Sequence, residues 1–214
     1  SYSTEASTSF QAKPSAKYRL DYGQGKVWGY KGMDHCCLEG LCVDEEPFVL
    51  AYKVNGIGND GLYDGLLGLA FPYLAQCKEC SLIQQVLKAH TYTFFAFGLL
   101  LAHDNQQSYM EFGELELLKS TAQETFGDGV ILPLFGLGGK AAYWMTKPEA
   151  IHAGNVSVST YRVYAVLDSG TSFFTVPEDH YKLIWPLLVN KETKKSCSDK
   201  LKNAEGTMLC VCGT

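Results

Sequence analysis

Along most of the chain, apolar and polar residues change places every second position or form short apolar runs closed by turn residues. That is a strand pattern. Lys17–Tyr22 alternates, Gly23-Gln24-Gly25 breaks it, and Lys26–Tyr30 resumes it, which predicts a hairpin with a glycine-rich tip. Pro47–Val54 reads as a strand and Gly56–Gly61 as a loop. Thr93–Ala102 and Ser108–Gly113 read as two strands joined by the polar turn Asp104-Asn105-Gln106-Gln107, and Tyr143–Thr146 and Tyr161–Leu167 as two more. Helical spacing occurs twice. Ser81–Ala89 opens on a capping serine, and Pro177–Val189 places Pro-Glu-Asp in its first turn, where the helix dipole favours acids. Strands dominate without a βαβ rhythm, so the expected class is all-β.

Composition narrows the partners. The 214 residues are 46% hydrophobic, with size enough for two lobes. Net charge is −5 and the longest basic run is Lys194-Lys195, which argues against nucleic acid. Phe94–Ala102, the longest apolar run, is too short to span a bilayer, so no membrane span is expected. Eight cysteines in local groups suit disulfides of an oxidising compartment. Asn155-Val156-Ser157 is a candidate glycosylation acceptor. Together they point to a secreted glycoprotein in an extracellular, vacuolar or lysosomal setting.

Three motifs look chemical and do not hold. Gly56-Ile57-Gly58-Asn59-Asp60-Gly61 has the G-x-G-x-x-G spacing, but more turn residues follow where a dinucleotide site needs a helix. Cys77-Lys78-Glu79-Cys80 and His35-Cys36-Cys37 lack a second half at zinc spacing, so disulfides are the better reading and no metal or cofactor is expected. No serine sits in a G-x-S-x-G elbow.

The remaining motif is Ala165-Val166-Leu167-Asp168-Ser169-Gly170-Thr171-Ser172, followed by Phe173-Phe174-Thr175-Val176-Pro177. Asp, Ser and Gly alone would be an ordinary turn. The context resembles the active-site turn of pepsin-like aspartic proteases. Other stretches match in the family's order. Tyr22-Gly23-Gln24-Gly25 with Gly29 resembles the flap hairpin. Asp64-Gly65-Leu66-Leu67-Gly68-Leu69-Ala70 resembles the stretch that backs the active site in the first lobe. Tyr109–Glu114 resembles the link between lobes, and Tyr143-Trp144 the strand entering the second.

The resemblance implies a bilobal all-β fold, incomplete at both ends: residues 1–113 as the later part of the first lobe and 114–214 as the earlier part of the second. It implies peptide-bond hydrolysis at acid pH on polypeptide substrates, by two carboxylates that share a proton and act as one titrating unit. Asp168 would be one carboxylate. Gly170 would offer it a close N–H, Thr171 a hydroxyl, and Ser169 a hydroxyl able to bridge the active-site loops. Tyr22, with Gly23 and Gly25 forming the tip, would close over substrate. The other catalytic Asp is expected upstream of Ser1, so these residues alone should be inactive. The alternative is an inactive scaffold used for binding or structure, and the chain is also a candidate member of a larger assembly. Disulfides are expected at Cys37–Cys42, Cys77–Cys80 and, by the resemblance, Cys197–Cys210, with Cys36 and Cys212 left open. Leu66, Leu67, Leu69, Val166 and Leu167 are expected in the core, and Asp168 at the floor of a cleft.

Overall fold

The computed structural model describes residues 2–23, 25–57, 63–90, 96–101, 107–114, 118, 128–153, 155–171, 174–188, 201–202 and 208–209. They form two compact units, Ser1–Leu132 with Gly136–Tyr143, and Pro133–Phe135 with Trp144–Thr214. The lobes proposed at 1–113 and 114–214 meet in a stretch where only Glu114 and Leu118 are described before Asp128.

The first unit is built on a three-stranded antiparallel sheet, in the order β1 (Gln11–Tyr22), β2 (Gly25–Leu38), β3 (Leu41–Asn55). Tyr22 pairs with Gly25, so the predicted hairpin is present. All three strands extend well past their predicted bounds. Pro14 lies where the register slips between Lys13 and Lys17; β1 is an edge strand, so the missing N–H costs no central ladder bond. A second tight turn at Glu39-Gly40, both with positive φ, joins β2 to β3.

The central strand carries the buried positions Val27, Gly29, Gly32 and Asp34. Gly29 lies so close to β3 that a Cβ would meet Val49 Cγ1 at 2.5 Å and the Leu50 carbonyl oxygen at 2.6 Å. The rings of Tyr2, Phe10 and Phe48 cluster with centroids 5.2–6.3 Å apart, Tyr2 edge-on to both phenylalanines, and the two phenylalanines lie over Gly32. This cluster holds the N-terminal segment on the sheet, and a polar knot reinforces it. Asp34 accepts bonds from Ser9 Oγ (2.5 Å), from the Tyr2 hydroxyl and from the His35 backbone N–H (2.8 Å). The serine and tyrosine hydroxyls hold its carboxyl well below the usual carboxylate range. Glu46 stands opposite Asp34 in the ladder, only 4% exposed, and its Oε2 has no partner among the described residues. Burial pushes the Glu46 carboxyl up to about 7.

Helix α1 (Leu82–His90) buries Leu82 and Val86 and ends on Lys88 and His90, where the helix dipole favours cations. Ser81 stands at its start as expected, its carbonyl accepting the Gln85 N–H. Strands β4 (Ala96–Leu100) and β5 (Tyr109–Gly113) pair antiparallel, inside their predicted bounds.

In the second unit, β6 (Met145–Thr146) pairs with β9 (Ala165–Val166), and β7 (Ala150–Ala153) with β8 (Val156–Ser159). Two short strands, β10 (Leu201–Lys202) and β11 (Met208–Leu209), pair further along. Helix α2 (Glu178–Leu188) opens on Glu178 and Asp179 and includes Pro186. Val158 and Ile184 are its buried centre, with Ile151 and Val176 packed against them. The predicted strand Tyr161–Leu167 is corrected. Its first half is a turn in which the Val163 N–H bonds the Thr160 carbonyl and Arg162 takes φ 63°. That left-handed conformation ends an extended run.

No helix among the described residues is long and apolar enough to cross a membrane. Disulfides join Cys37 to Cys42 and Cys77 to Cys80, with Cα atoms 4.1 and 5.2 Å apart. Both fall inside the reach of a bridge. Cys36 is a free thiol, half-buried. Cys197, Cys210 and Cys212 lie outside the described residues.

Candidate active site

Short strand β9 delivers the chain to Asp168. The Leu167 N–H bonds the Trp144 carbonyl (2.9 Å), extending the β6–β9 ladder by one bond, and then the backbone turns. The Thr171 N–H returns to the Asp168 carbonyl at 3.3 Å. Within this turn the Asp168 carboxylate accepts two bonds. The Gly170 N–H lies 2.9 Å from Oδ1 and the Thr171 hydroxyl 2.5 Å from Oδ2. Glycine suits the middle position because a Cβ there would sit 3.2 Å from Oδ1, tighter than ordinary contact. Each carboxylate oxygen thus has a donor of its own. Such charge-assisted bonds fix a carboxylate's orientation. Ser169 occupies the exposed turn between them.

Two burial expectations are corrected. Asp168 is exposed, not sunk at a cleft floor, as are Ser169, Gly170 and Thr171. Leu66, Leu67, Val166 and Leu167 are exposed too, Leu167 to 65%, and Leu69 is half-buried. The reason is local. The β6–β9 ribbon has only two strands among the described residues, and Gly65–Leu69 is coil, so neither has a packed face to cover these side chains.

In the first unit, Tyr22 ends β1 with its ring partly exposed, and Gly23 begins the turn with open space around its Cα. Partial burial and the neighbouring Tyr63 hydroxyl push the Tyr22 phenol up. Gly25 is held tightly, because a Cβ there would run into the Asn55 carbonyl oxygen. The hairpin tip therefore has one open glycine and one constrained glycine, on either side of residue 24, which lies outside the described residues.

The His35-Cys37-Cys42 group has its donor atoms close enough for a metal ion. Both sulfurs are consumed in the disulfide, so the thiolates a zinc site requires are not available. Gly56 takes φ 82°, and among the described residues from Tyr63 to Cys80 the chain is coil and turn, with no helix N-terminus to receive a dinucleotide phosphate; residues 58–62 lie outside the described residues.

An all-β chain with this Asp-Ser-Gly-Thr turn and a Tyr-Gly-x-Gly hairpin agrees with the sequence comparisons. The family model of eukaryotic aspartyl protease matches residues 1–214, and the chain belongs to that family. It is 27% identical over 203 residues to cathepsin E of Aquarana catesbeiana, covering 92% of this chain and 49% of the relative. It is 26% identical over 181 residues to cathepsin D of Chionodraco hamatus (83% and 44%), and 25% identical over 192 residues to pepsin A of Gallus gallus (84% and 48%). The chain spans about half the length of these curated relatives.

The sequence did not single out the Asp34 knot or the buried Glu46. Its one signal was the run of hydroxyl residues from Ser3 to Ser9, of which Ser9 is brought against Asp34 on β2.

Proposed function

We propose that the protein is an aspartic endopeptidase. Asp168 supplies one of two carboxylates, and the second is contributed by a segment outside these 214 residues. The observation that carries the reading is the Asp168 turn, where a backbone N–H and a threonine hydroxyl each hold one carboxylate oxygen. A carboxylate fixed in this way can act on a water molecule without reorienting. Apposed to a second carboxyl, it would share a single proton. The ionised member takes a proton from water as the water attacks the peptide carbonyl, and the protonated member polarises the carbonyl oxygen. No covalent intermediate forms. Tyr22, Gly23 and Gly25 form a flap tip that closes over a polypeptide substrate, and Ser169 bridges toward the partner loop. The exposed Leu66, Leu67, Val166 and Leu167 are the faces that the remainder of a longer protein covers. The disulfides and the exposed Asn155 beside the β7–β8 turn support a glycosylated protein of the secretory, extracellular or vacuolar and lysosomal space.

The test is cleavage of an unfolded protein substrate by the full-length, matured protein from about pH 3 to 8. The expected profile is bell-shaped and favours acid, because raising the pH removes the shared proton. A peptide mimic with a hydroxyl in place of the scissile carbonyl should inhibit it. No cleavage at any pH, with no binding of the mimic, would instead support an inactive scaffold.

A further inference from the structure

The tip of the β2–β3 hairpin carries a chemical arrangement that peptide hydrolysis does not use. Cys37 and Cys42 face each other across the ladder and are joined by a disulfide. Beside it, His35 Nε2 lies 3.2 Å from Cys37 Sγ, while its Nδ1 lies 3.0 Å from Asp44 Oδ1. Carboxylate, imidazole and sulfur therefore stand in line. Cys37, His35 and Asp44 are exposed and Cys42 is half-buried, so the bridge lies at the surface within reach of an external thiol. The other described disulfide provides the contrast, because Cys77 is buried.

We propose that Cys37–Cys42 is a thiol–disulfide exchange site, with His35 as the acid that activates it and Asp44 as the positioning residue. The partner is a dithiol, either a small molecule or a protein with two neighbouring cysteines. One partner thiolate attacks Cys42 Sγ. The Cys37–Cys42 bond breaks and a mixed disulfide forms between Cys42 and the partner. The electron pair leaves on Cys37 Sγ, which takes the proton held on His35 Nε2. The partner's second thiol, as thiolate, then displaces Cys42, which is released and protonated from water. The partner is oxidised to its disulfide, and Cys37 and Cys42 are reduced to thiols. The direction of attack follows from geometry. Nδ1 faces Asp44 Oδ1 and Nε2 faces Cys37 Sγ, so a proton on Nε2 is aimed at Cys37 and makes it the better leaving sulfur. Asp34 does not compete for the ring, since it bonds the His35 backbone N–H. Cys36 is not the attacking thiol. It alternates to the opposite side of β2 and is half-buried, and that burial, with the nearby Glu46 and Asp34 carboxylates, pushes its thiol up.

The bridge closes a separation of only five residues, so it restrains the unfolded chain less than a long-range bridge would. It is therefore better placed as a reactive group than as a staple. The test is timed reduction of the folded full-length protein with limiting dithiothreitol near neutral pH, followed by alkylation and mass spectrometry of each cysteine pair. Cys37–Cys42 should open at least about tenfold faster than Cys77–Cys80, and His35→Gln should slow its opening about fivefold without changing Cys77–Cys80. Asp44→Asn should slow it by a smaller factor, and it carries the test if His35→Gln does not fold. Equal rates for the two disulfides, or a Cys37–Cys42 rate unchanged in the folded variants, would overturn the proposal.

Discussion

Replacing Glu46 with Gln should stabilise the protein at neutral pH and leave it almost unchanged in acid. Glu46 is buried opposite Asp34, one of its oxygens has no partner among the described residues, and burial pushes its carboxyl from 4.5 in the unfolded chain up to about 7. Between these values the folded state binds more protons than the unfolded one, so stability falls as pH rises. The contribution of protonated Glu46 is complete below about pH 4.5 and is lost as pH rises through about 7. At 1.36 kcal/mol per pH unit, the interval corresponds to about 3 kcal/mol at most, or about 2 kcal/mol once solvent screening is included. Glutamine keeps the shape and cannot ionise. Its gain should be near zero at pH 4 and about 2 kcal/mol at pH 8, a rise in Tm of about 4–8 °C for a chain of this size. Thermal unfolding of wild type and variant, followed by near-ultraviolet circular dichroism at five pH values from 4 to 8, measures the difference directly. A gap between the two proteins that stays constant with pH would show that Glu46 does not ionise at a cost in the folded state. So would a variant less stable than wild type at pH 8.

Three further substitutions probe the sheet, the hairpin tip and the Asp168 turn. Gly29→Ala should cost about 2 kcal/mol or more, since its Cβ meets the Leu50 backbone, whereas Gly23→Ala, with open space around it, should cost under about 1; chemical denaturation compares them. Thr171→Val removes the 2.5 Å bond to Asp168 and should lower kcat about tenfold in the cleavage assay, with the folded circular dichroism spectrum unchanged.

What could be read from the sequence depended on how locally each feature is encoded. The β1–β2 hairpin was legible because alternation and two glycines bracket its tip within nine residues, Lys17 to Gly25. The β2–β3 turn was not, because Glu39-Gly40 is not one of the strong dipeptide signals, although both residues take the left-handed conformation such a turn needs. The long strands also hide under charged and cysteine-rich stretches such as Cys36–Glu46, where pairing partners rather than composition make the strand. The Asp168 turn was legible in its bonds and not in its exposure. An apolar run predicts that a residue prefers burial, not that a partner surface is there to bury it. Leu66, Leu67 and Leu167 illustrate the difference. Glu46 could not have been found from sequence at all, because a glutamate between Glu45 and Pro47 reads as solvated until the ladder sets it opposite Asp34.

The most direct test of the account is the kcat of full-length Asp168→Asn on a protein substrate at the acid optimum of the wild type. The amide preserves the size of the side chain; its oxygen can keep the Gly170 N–H contact and its NH2 can donate to the Thr171 hydroxyl oxygen, but it cannot serve as a base. The variant should lose at least about a thousandfold in kcat with unchanged thermal stability. A variant that cleaves as fast as wild type would contradict it and remove Asp168 from the chemistry.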